Sequence, residues 1–140
     1  EPRGTGAAAA IGLALADAGL APDAIDFVNA HGTGTALNDA AEWNALATVF
    51  GERAARIPVT STKGLIGHLL GSSGSIEAAA TALGLARGEV HPTPGGGEID
   101  PELGVDLVVG TPRSVPGARF ALSTSLAFGG ANAAIVLEKA

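Results

Sequence analysis

The chain opens on an alanine-rich apolar segment, residues 3–20 (RGTGAAAAIGLALADAGL), which reads as a helix with no strand in front of it. Ala7 to Ala10, Leu13 and Leu15 favour the helix, Thr5 is placed to cap its start, and Gly19 with Pro22 stops it. An apolar helix must lie against a sheet, so the strands have to come later. The fold reads as though it starts in the middle. Glu1 is no translational start, so the expectation is a front that was removed or that belongs to another chain.

The strands follow. Ile25 to Asn29 (IDFVN) is a short one that breaks into His31-Gly32-Thr33-Gly34-Thr35. A helix fits 38–50, with Asn38 as N-cap, Asp39 and Glu42 toward the positive end of the dipole, and Trp43, Leu46 and Phe50 on one face. Ile57 to Thr60 is strand-like, Ser61 to Gly74 is loop, and a third helix fits 75–87, with Ile76, Ala80 and Leu83 on one side and Gly88 after it. Residues 92–104 hold three prolines and Gly95-Gly96-Gly97, an irregular connector. Val105–Val109, Arg119–Ser123 and Ala133–Leu137 read as closing strands. Helix and strand alternate first and strands then run on, which predicts an α/β layer with a mixed sheet flanked by helices.

The composition excludes several classes. A net charge of −6 argues against a broad basic face for nucleic acid. No apolar run approaches the ~20 residues of a membrane span, and no signal peptide is visible at the start. With no Cys, the chain holds no disulfide, no thiolate metal site and no cysteine nucleophile.

Polar chemistry collects in two loops after strands, where sites gather in open α/β sheets. They are residues 29–39 (NAHGTGTALND) and 61–68 (STKGLIGH). Glycines beside His31 and His68 allow close approach, and two histidines with Lys63 can offer N–H donors to a developing oxyanion. Either histidine could instead be structural. A metal site from His31, Asp39, Glu42 and His68 lacks HExxH-like spacing. Gly71-Ser72-Ser73-Gly74-Ser75 suggests a phosphate cradle, but the P-loop lysine spacing is missing, and close packing of the helix start is the simpler use. His91, before Pro92 in the connector, reads as solvent-exposed.

Together NAHGTGTALND at 29–39 with Glu42, VTSTKGLIGHLLGSSGSIEA at 59–78 and ALSTSLAFGGANAAIVL at 121–137 resemble the C-terminal part of β-ketoacyl-acyl carrier protein synthases. The likeness runs over essentially the whole chain. It implies a thiolase-like α/β fold, of which residues 1–140 would be most of the second half. By this resemblance His31 and His68 are the catalytic histidines, neutral donors to a malonyl thioester oxygen while CO2 leaves. Lys63 is the family lysine, held against Glu42. Thr33 and Thr35 would bind the phosphopantetheine arm, and Phe128 would be the gate of the Gly129-Gly130 loop, with Asn132 supporting it. Asp39 matches a structural acid that fixes backbone amides. Two residues depart from the usual pattern: Ala127, where a glycine is usual and whose Cβ disfavours φ > 0 and would stiffen the gate, and Gly64, where serine is common.

The resemblance also implies a cysteine nucleophile at a helix N-terminus on a part of the fold this sequence lacks. The expected function is therefore that of a fragment or subunit of a condensing acyltransferase in fatty acid or polyketide synthesis, active only with the cysteine-bearing part. The alternative is a non-catalytic, chain-length-factor-like subunit, for which three retained donors would be surprising. A thiolase acting on coenzyme A esters is remote without its C-terminal cysteine. No metal or organic cofactor is expected, since the acyl groups ride on carrier-protein phosphopantetheine. Expected partners are the chain with the cysteine, an acyl carrier protein docked through Arg53 and Arg56, and a second such assembly in a dimer. The expected location is the cytoplasm.

Overall fold

A computed structural model describes residues 2–95, 99–100 and 103–140. Gly96 and Gly97 of the glycine run, and Pro101, lie outside the described residues. The first helix, α1, spans Thr5–Ala18 and is capped one residue earlier than expected: Gly4, at φ 66°, takes the N-cap position and Thr5 opens the helix. Gly4 is required there by space as well as by angle, because a Cβ would stand 2.0 Å from the Ala41 carbonyl oxygen. Gly19, also left-handed, ends α1, and Leu20 N–H closes back on Leu15 O at 3.0 Å.

Strand β1 (Phe27–Asn29) is followed by α2 (Ala36–Phe50), β2 (Val59–Thr60), the single turn α3 (Lys63–Ile66) and α4 (Ser73–Arg87). Asn38 is not the cap of α2. Thr35 holds that place, in extended conformation, its carbonyl taking the Asp39 N–H, and Asn38 sits a turn inside with Nδ2 on Asp39 Oδ1. After α4 come β3 (Glu89–Val90), β4 (Arg113–Ser114), β5 (Phe120–Leu126) and β6 (Asn132–Glu138). The sheet is mixed, in the order β2-β1-β5-β6, with β1 parallel to both neighbours and β5 antiparallel to β6. The expected strand at Val105–Val109 contributes only an isolated parallel bridge from Leu107 to Val59. β3 and β4 pair instead in a two-residue ribbon too short to show as alternation in the sequence.

The sheet is the middle of three layers. Val28 and Leu122 point into a core with Ile11 and Leu15 of α1 and Leu46 and Phe50 of α2. Their neighbours Phe27 and Ala121 point the other way, against Leu85 of α4. α4 differs from the sequence expectation in which side it buries. Ser73, Glu77, Thr81 and Leu85 face inward, whereas Ile76 and Leu83 are exposed. An i, i+4 row of polar residues faces the interior because the ends of β1 and β2 offer it partners there. No helix among the described residues is long and apolar enough to cross a membrane.

Candidate active site

β1 lies between β2 and β5, so the loop leaving its carboxyl end is framed on both sides. His31 is the second residue of that loop, and Glu42, nearly two turns into α2, holds its backbone. Glu42 Oε1 accepts the His31 N–H at 2.8 Å and the Thr124 hydroxyl at 2.6 Å, and Oε2 accepts the Gly32 N–H at 2.9 Å. Burial pushes the Glu42 carboxyl above its ordinary value, with nearby Asp39 adding to this, while the hydrogen bonds it accepts pull the other way. The amide-fixing role expected of Asp39 therefore belongs to Glu42. Gly32 is required by contact: a Cβ would sit 2.7 Å from Ser61 Cβ, whose hydroxyl donates to the Gly32 carbonyl at 2.9 Å.

Lys63 opens α3 directly after β2, but not against Glu42. Its ammonium pairs with Glu77 Oε1 of α4, both side chains buried. The reason is saturation. Glu42 already receives three donors, and Glu77 projects from the inward row of α4. The charge of Lys63 is still felt at His31, whose pKa falls from 6.5 to about 4, first through burial, then through Lys63 and then through His68. His31 is thus a neutral imidazole at pH 7, and its Nδ1 is buried with no hydrogen-bond partner.

His68 sits between α3 and the 3₁₀ turn Leu70–Ser72. Its Nδ1 lies 3.2 Å from the Leu70 N–H and 3.0 Å from Ser73 Oγ. A peptide N–H can only donate, so Nδ1 carries the lone pair and Nε2 the proton. Leu70 itself holds φ 52°, unusual for a branched residue. The His31 and His68 rings meet edge to face, centroids 5.3 Å apart at 83°. Two neutral imidazoles thus converge beside a buried ammonium, an arrangement suited to an oxygen that gains negative charge.

The other expected residues are placed more simply. Thr33 and Thr35 hydroxyls are 3.1 Å apart at the loop rim. Phe128 is fully exposed, in a 3₁₀ turn with Gly129 at φ 81° and Gly130 at φ 83°. Asn132 Nδ2 reaches the Gly130 carbonyl at 3.2 Å, beside α1, where a Cβ on Gly6 would lie 2.6 Å from that amide. Ala127 stands at φ −137°, extended backbone that any residue adopts, so its Cβ brings no strain to this loop. Gly74 packs to within 3.2 Å of Ser125 Oγ at the would-be Cβ, close packing rather than a cradle. Among the described residues no three His, Asp or Glu side chains gather as metal ligands do, and the oxygens of Glu42 are occupied by N–H and O–H donors.

One further expectation fails outright. His91 is half-buried, not exposed, and both ring nitrogens contact threonines at and just after the end of β2. The Arg53 guanidinium donates to the carbonyls of Pro22 and Ile25 at 3.2 and 2.6 Å, and Arg56 is exposed. Residues the sequence reading passed over complete the site: Asn29, Ser61, Thr62, Ser73, Glu77, Thr81 and Thr124. The spacing of Ser73, Glu77 and Thr81 was the available signal, three polar side chains on one stripe of an otherwise apolar helix.

Residues 1–96 match the family described as beta-ketoacyl synthase, C-terminal domain. The chain is 44% identical, over 99% of its length, to 3-oxoacyl-[acyl-carrier-protein] synthase 2 of Synechocystis sp., and 41% identical to the enzyme of that name from Staphylococcus aureus. It spans about a third of the length of each (33%). A beta-ketoacyl synthase structure from Burkholderia phymatum superposes on 99% of this chain and 33% of that one, with a TM-score of 0.91 at 38% identity. The structure of a type II PKS acyl-carrier protein in complex with its ketosynthase matches 100% of this chain and 34% of that one, at a TM-score of 0.95 and 35% identity. The ishigamide ketosynthase/chain length factor matches 98% of this chain and 33% of its own, at 0.92 and 35% identity.

Proposed function

Because this chain belongs to the β-ketoacyl synthase family, as its C-terminal domain, we propose that it supplies the decarboxylating half of a condensing active site. The reaction is a decarboxylative Claisen condensation. The thioester oxygen of a malonyl group on carrier protein accepts hydrogen bonds from the Nε2–H groups of His31 and His68. The C–C bond to the carboxylate breaks, CO2 leaves, and its electron pair becomes an enolate whose oxygen the two donors stabilise. The enolate carbon attacks the acyl thioester on a cysteine of the complementary part, and collapse of the tetrahedral adduct releases the thiolate. The products are β-ketoacyl-carrier protein, CO2 and free enzyme.

The observation that carries this reading is the orthogonal pair of neutral imidazoles, one with its tautomer set by the Leu70 N–H and the other kept uncharged by burial and Lys63. Lys63, held on Glu77, sets the local field and attacks nothing. Thr33 and Thr35 lie at the rim where a phosphopantetheine arm would enter, and Phe128 on its glycine-flanked turn gates the acyl side. The chemistry calls for no resident metal or organic cofactor. The partners are the cysteine-bearing remainder of the synthase, an acyl carrier protein and a second copy of that assembly, and the setting is the cytoplasm. A chain-length-factor-like role is the second reading, since the structural matches include three ketosynthase/chain length factor structures.

The test uses the assembled synthase, this chain joined to its cysteine-bearing remainder. His31→Ala and His68→Ala should each lower malonyl decarboxylation by about 10²-fold or more, as loss of an oxyanion donor does, while acylation of the cysteine survives. Loss of acylation with normal decarboxylation would reverse the assignment. Full condensing activity in both variants would favour the second reading.

A further inference from the structure

His91 has no part in the chemistry above, yet its ring is fully engaged. Nδ1 lies 3.0 Å from the Pro92 carbonyl and 3.1 Å from Thr60 Oγ1, and Nε2 lies 3.1 Å from Thr62 Oγ1. A carbonyl can only accept, and the Thr60 hydroxyl already donates to the His91 carbonyl at 2.7 Å. Nδ1 therefore carries the ring proton, and Nε2 presents a lone pair to Thr62. The Thr62 hydroxyl receives the Asn29 Nδ2–H at 2.8 Å, and its own proton has two acceptors in reach, His91 Nε2 at 3.1 Å and Asn29 Oδ1 at 3.2 Å, the latter also met by the Thr62 N–H at 3.3 Å.

Thr62 is the residue before Lys63. Its carbonyl accepts the Leu65 and Ile66 N–H groups at 2.9 and 3.3 Å, which forms the turn that presents Lys63. Asn29 in turn donates to the Glu77 carbonyl at 3.2 Å and to Thr81 Oγ1 at 3.1 Å. One run of hydrogen bonds thus joins His91 to the strand end before His31, to the turn of Lys63 and to the helix that carries its carboxylate. The same stretch also presses on that turn directly. A Cβ at Gly64 would stand 2.7 Å from the Pro94 carbonyl and 3.1 Å from Pro94 Cδ. Glycine at 64, unexplained by the sequence, is what lets residues 91–94 lie against Lys63.

We infer that His91 is a positioning residue, which through the Thr62 hydroxyl fixes the Lys63 turn and so the place of the Lys63 ammonium relative to His31. Its kinetic consequence rests on the decarboxylation reading, whereas its effect on His31 does not. Two substitutions separate the ring's two ends. Glutamine extends an amide oxygen to the position of Nε2 and can still accept from Thr62. Asparagine keeps a donor near Nδ1 and falls short of Thr62.

The experiment follows the His31 ring by NMR titration in the assembled synthase, alongside malonyl decarboxylation. In His91→Asn the His31 pKa should rise from about 4 by roughly half a unit or more as Lys63 loosens. kcat should fall on the order of tenfold with little change in KM, as for displacement of a group set near the reacting atoms. His91→Gln should restore both. Thr62→Val, which deletes the accepting and donating hydroxyl, should reproduce the asparagine result if His91→Asn fails to fold. An unchanged His31 titration in His91→Asn, or equal losses in the asparagine and glutamine variants, would overturn the inference. Absence of decarboxylation in the unaltered protein would sink the functional reading alone, with the titration still deciding the role of His91.

Discussion

Glu42→Gln alters the site by a single atom and a single charge. Oε1 and Oε2 together accept three donors: the His31 N–H, the Gly32 N–H and the Thr124 hydroxyl. Glutamine offers one oxygen. If that oxygen takes the place of Oε1, the amide NH2 faces the Gly32 N–H across 2.9 Å, donor against donor. A lost hydrogen bond to a charged acceptor costs about 1.5–3 kcal/mol, and the Gly32 N–H left unmet is part-buried. Part of that is offset, because the neutral amide escapes the burial penalty that raises the Glu42 pKa. The expected net loss is about 2 kcal/mol. Glu42→Ala takes the carboxylate from the Gly32 N–H and the Thr124 hydroxyl, while the His31 N–H keeps Thr124 Oγ1 at 3.1 Å, and should lose roughly 3–4 kcal/mol, in the range for removing one member of a buried charged network. Urea unfolding of the assembled protein at pH 7 reads both numbers, and amide exchange at Gly32 reports whether the defect is local. A glutamine variant as stable as the parent, with Gly32 equally protected, would refute the clamp.

Three further outcomes are expected. The lowered His31 pKa means that the unfolded chain takes up a proton before the native one does, so the stability tied to neutral His31 is complete above pH 6.5 and is lost as pH falls through about 4. Glu42 has the opposite sign, its contribution present below its ordinary value and lost as pH rises through its raised one, so His31→Gln should remove only the limb that climbs between pH 4 and 6.5 in urea titrations. Gly4→Ala should cost roughly 3 kcal/mol or more in thermal unfolding, since its Cβ would meet the Ala41 carbonyl at 2.0 Å on left-handed backbone, and an unshifted melting curve would contradict the α1–α2 crossing. Phe128→Ala should leave this chain's own stability within about 0.5 kcal/mol because the ring is fully exposed. The same change should alter the KM for the acyl substrate if the ring gates it.

The elements with strong local signals were legible. α1, with its glycine stop, and α2 stand where periodicity put them, and the two polar loops do fall at the carboxyl ends of parallel strands. The cap of α1 is hidden from the sequence because Gly4 is set by what its backbone meets across the fold, the Ala41 carbonyl of another helix, and that of α2 because Thr35 caps with no side-chain hydrogen bond. The strand expected at Val105–Val109 fails because its pairing with the sheet stops at a single bridge, Leu107 to Val59. In the site, His31, Lys63 and His68 stood out by residue type, but their supports did not. Lys63 and Glu77 are fourteen residues apart, and His31 and Thr124 ninety-three apart, so neither pairing leaves a mark in local sequence. α4 was turned the wrong way because hydrophobicity was taken to mark its inner face, whereas the interior there is polar and hydrogen-bonded.

The two histidine loops differ in how far along the chain their closures reach. His31 is tied to Glu42 eleven residues on, and His68 to Ser73 only five on. Loops of that length close in well under a microsecond and at little entropic cost. Bringing the two loops together is another matter. It waits on β1 finding β2, and on β5 arriving beside β1 to deliver Thr124 across ninety-three residues of chain. Refolding should therefore show each loop acquiring local order early, with the edge-to-face contact of the rings forming only as the sheet completes, at the slow pace of long-range strand pairing.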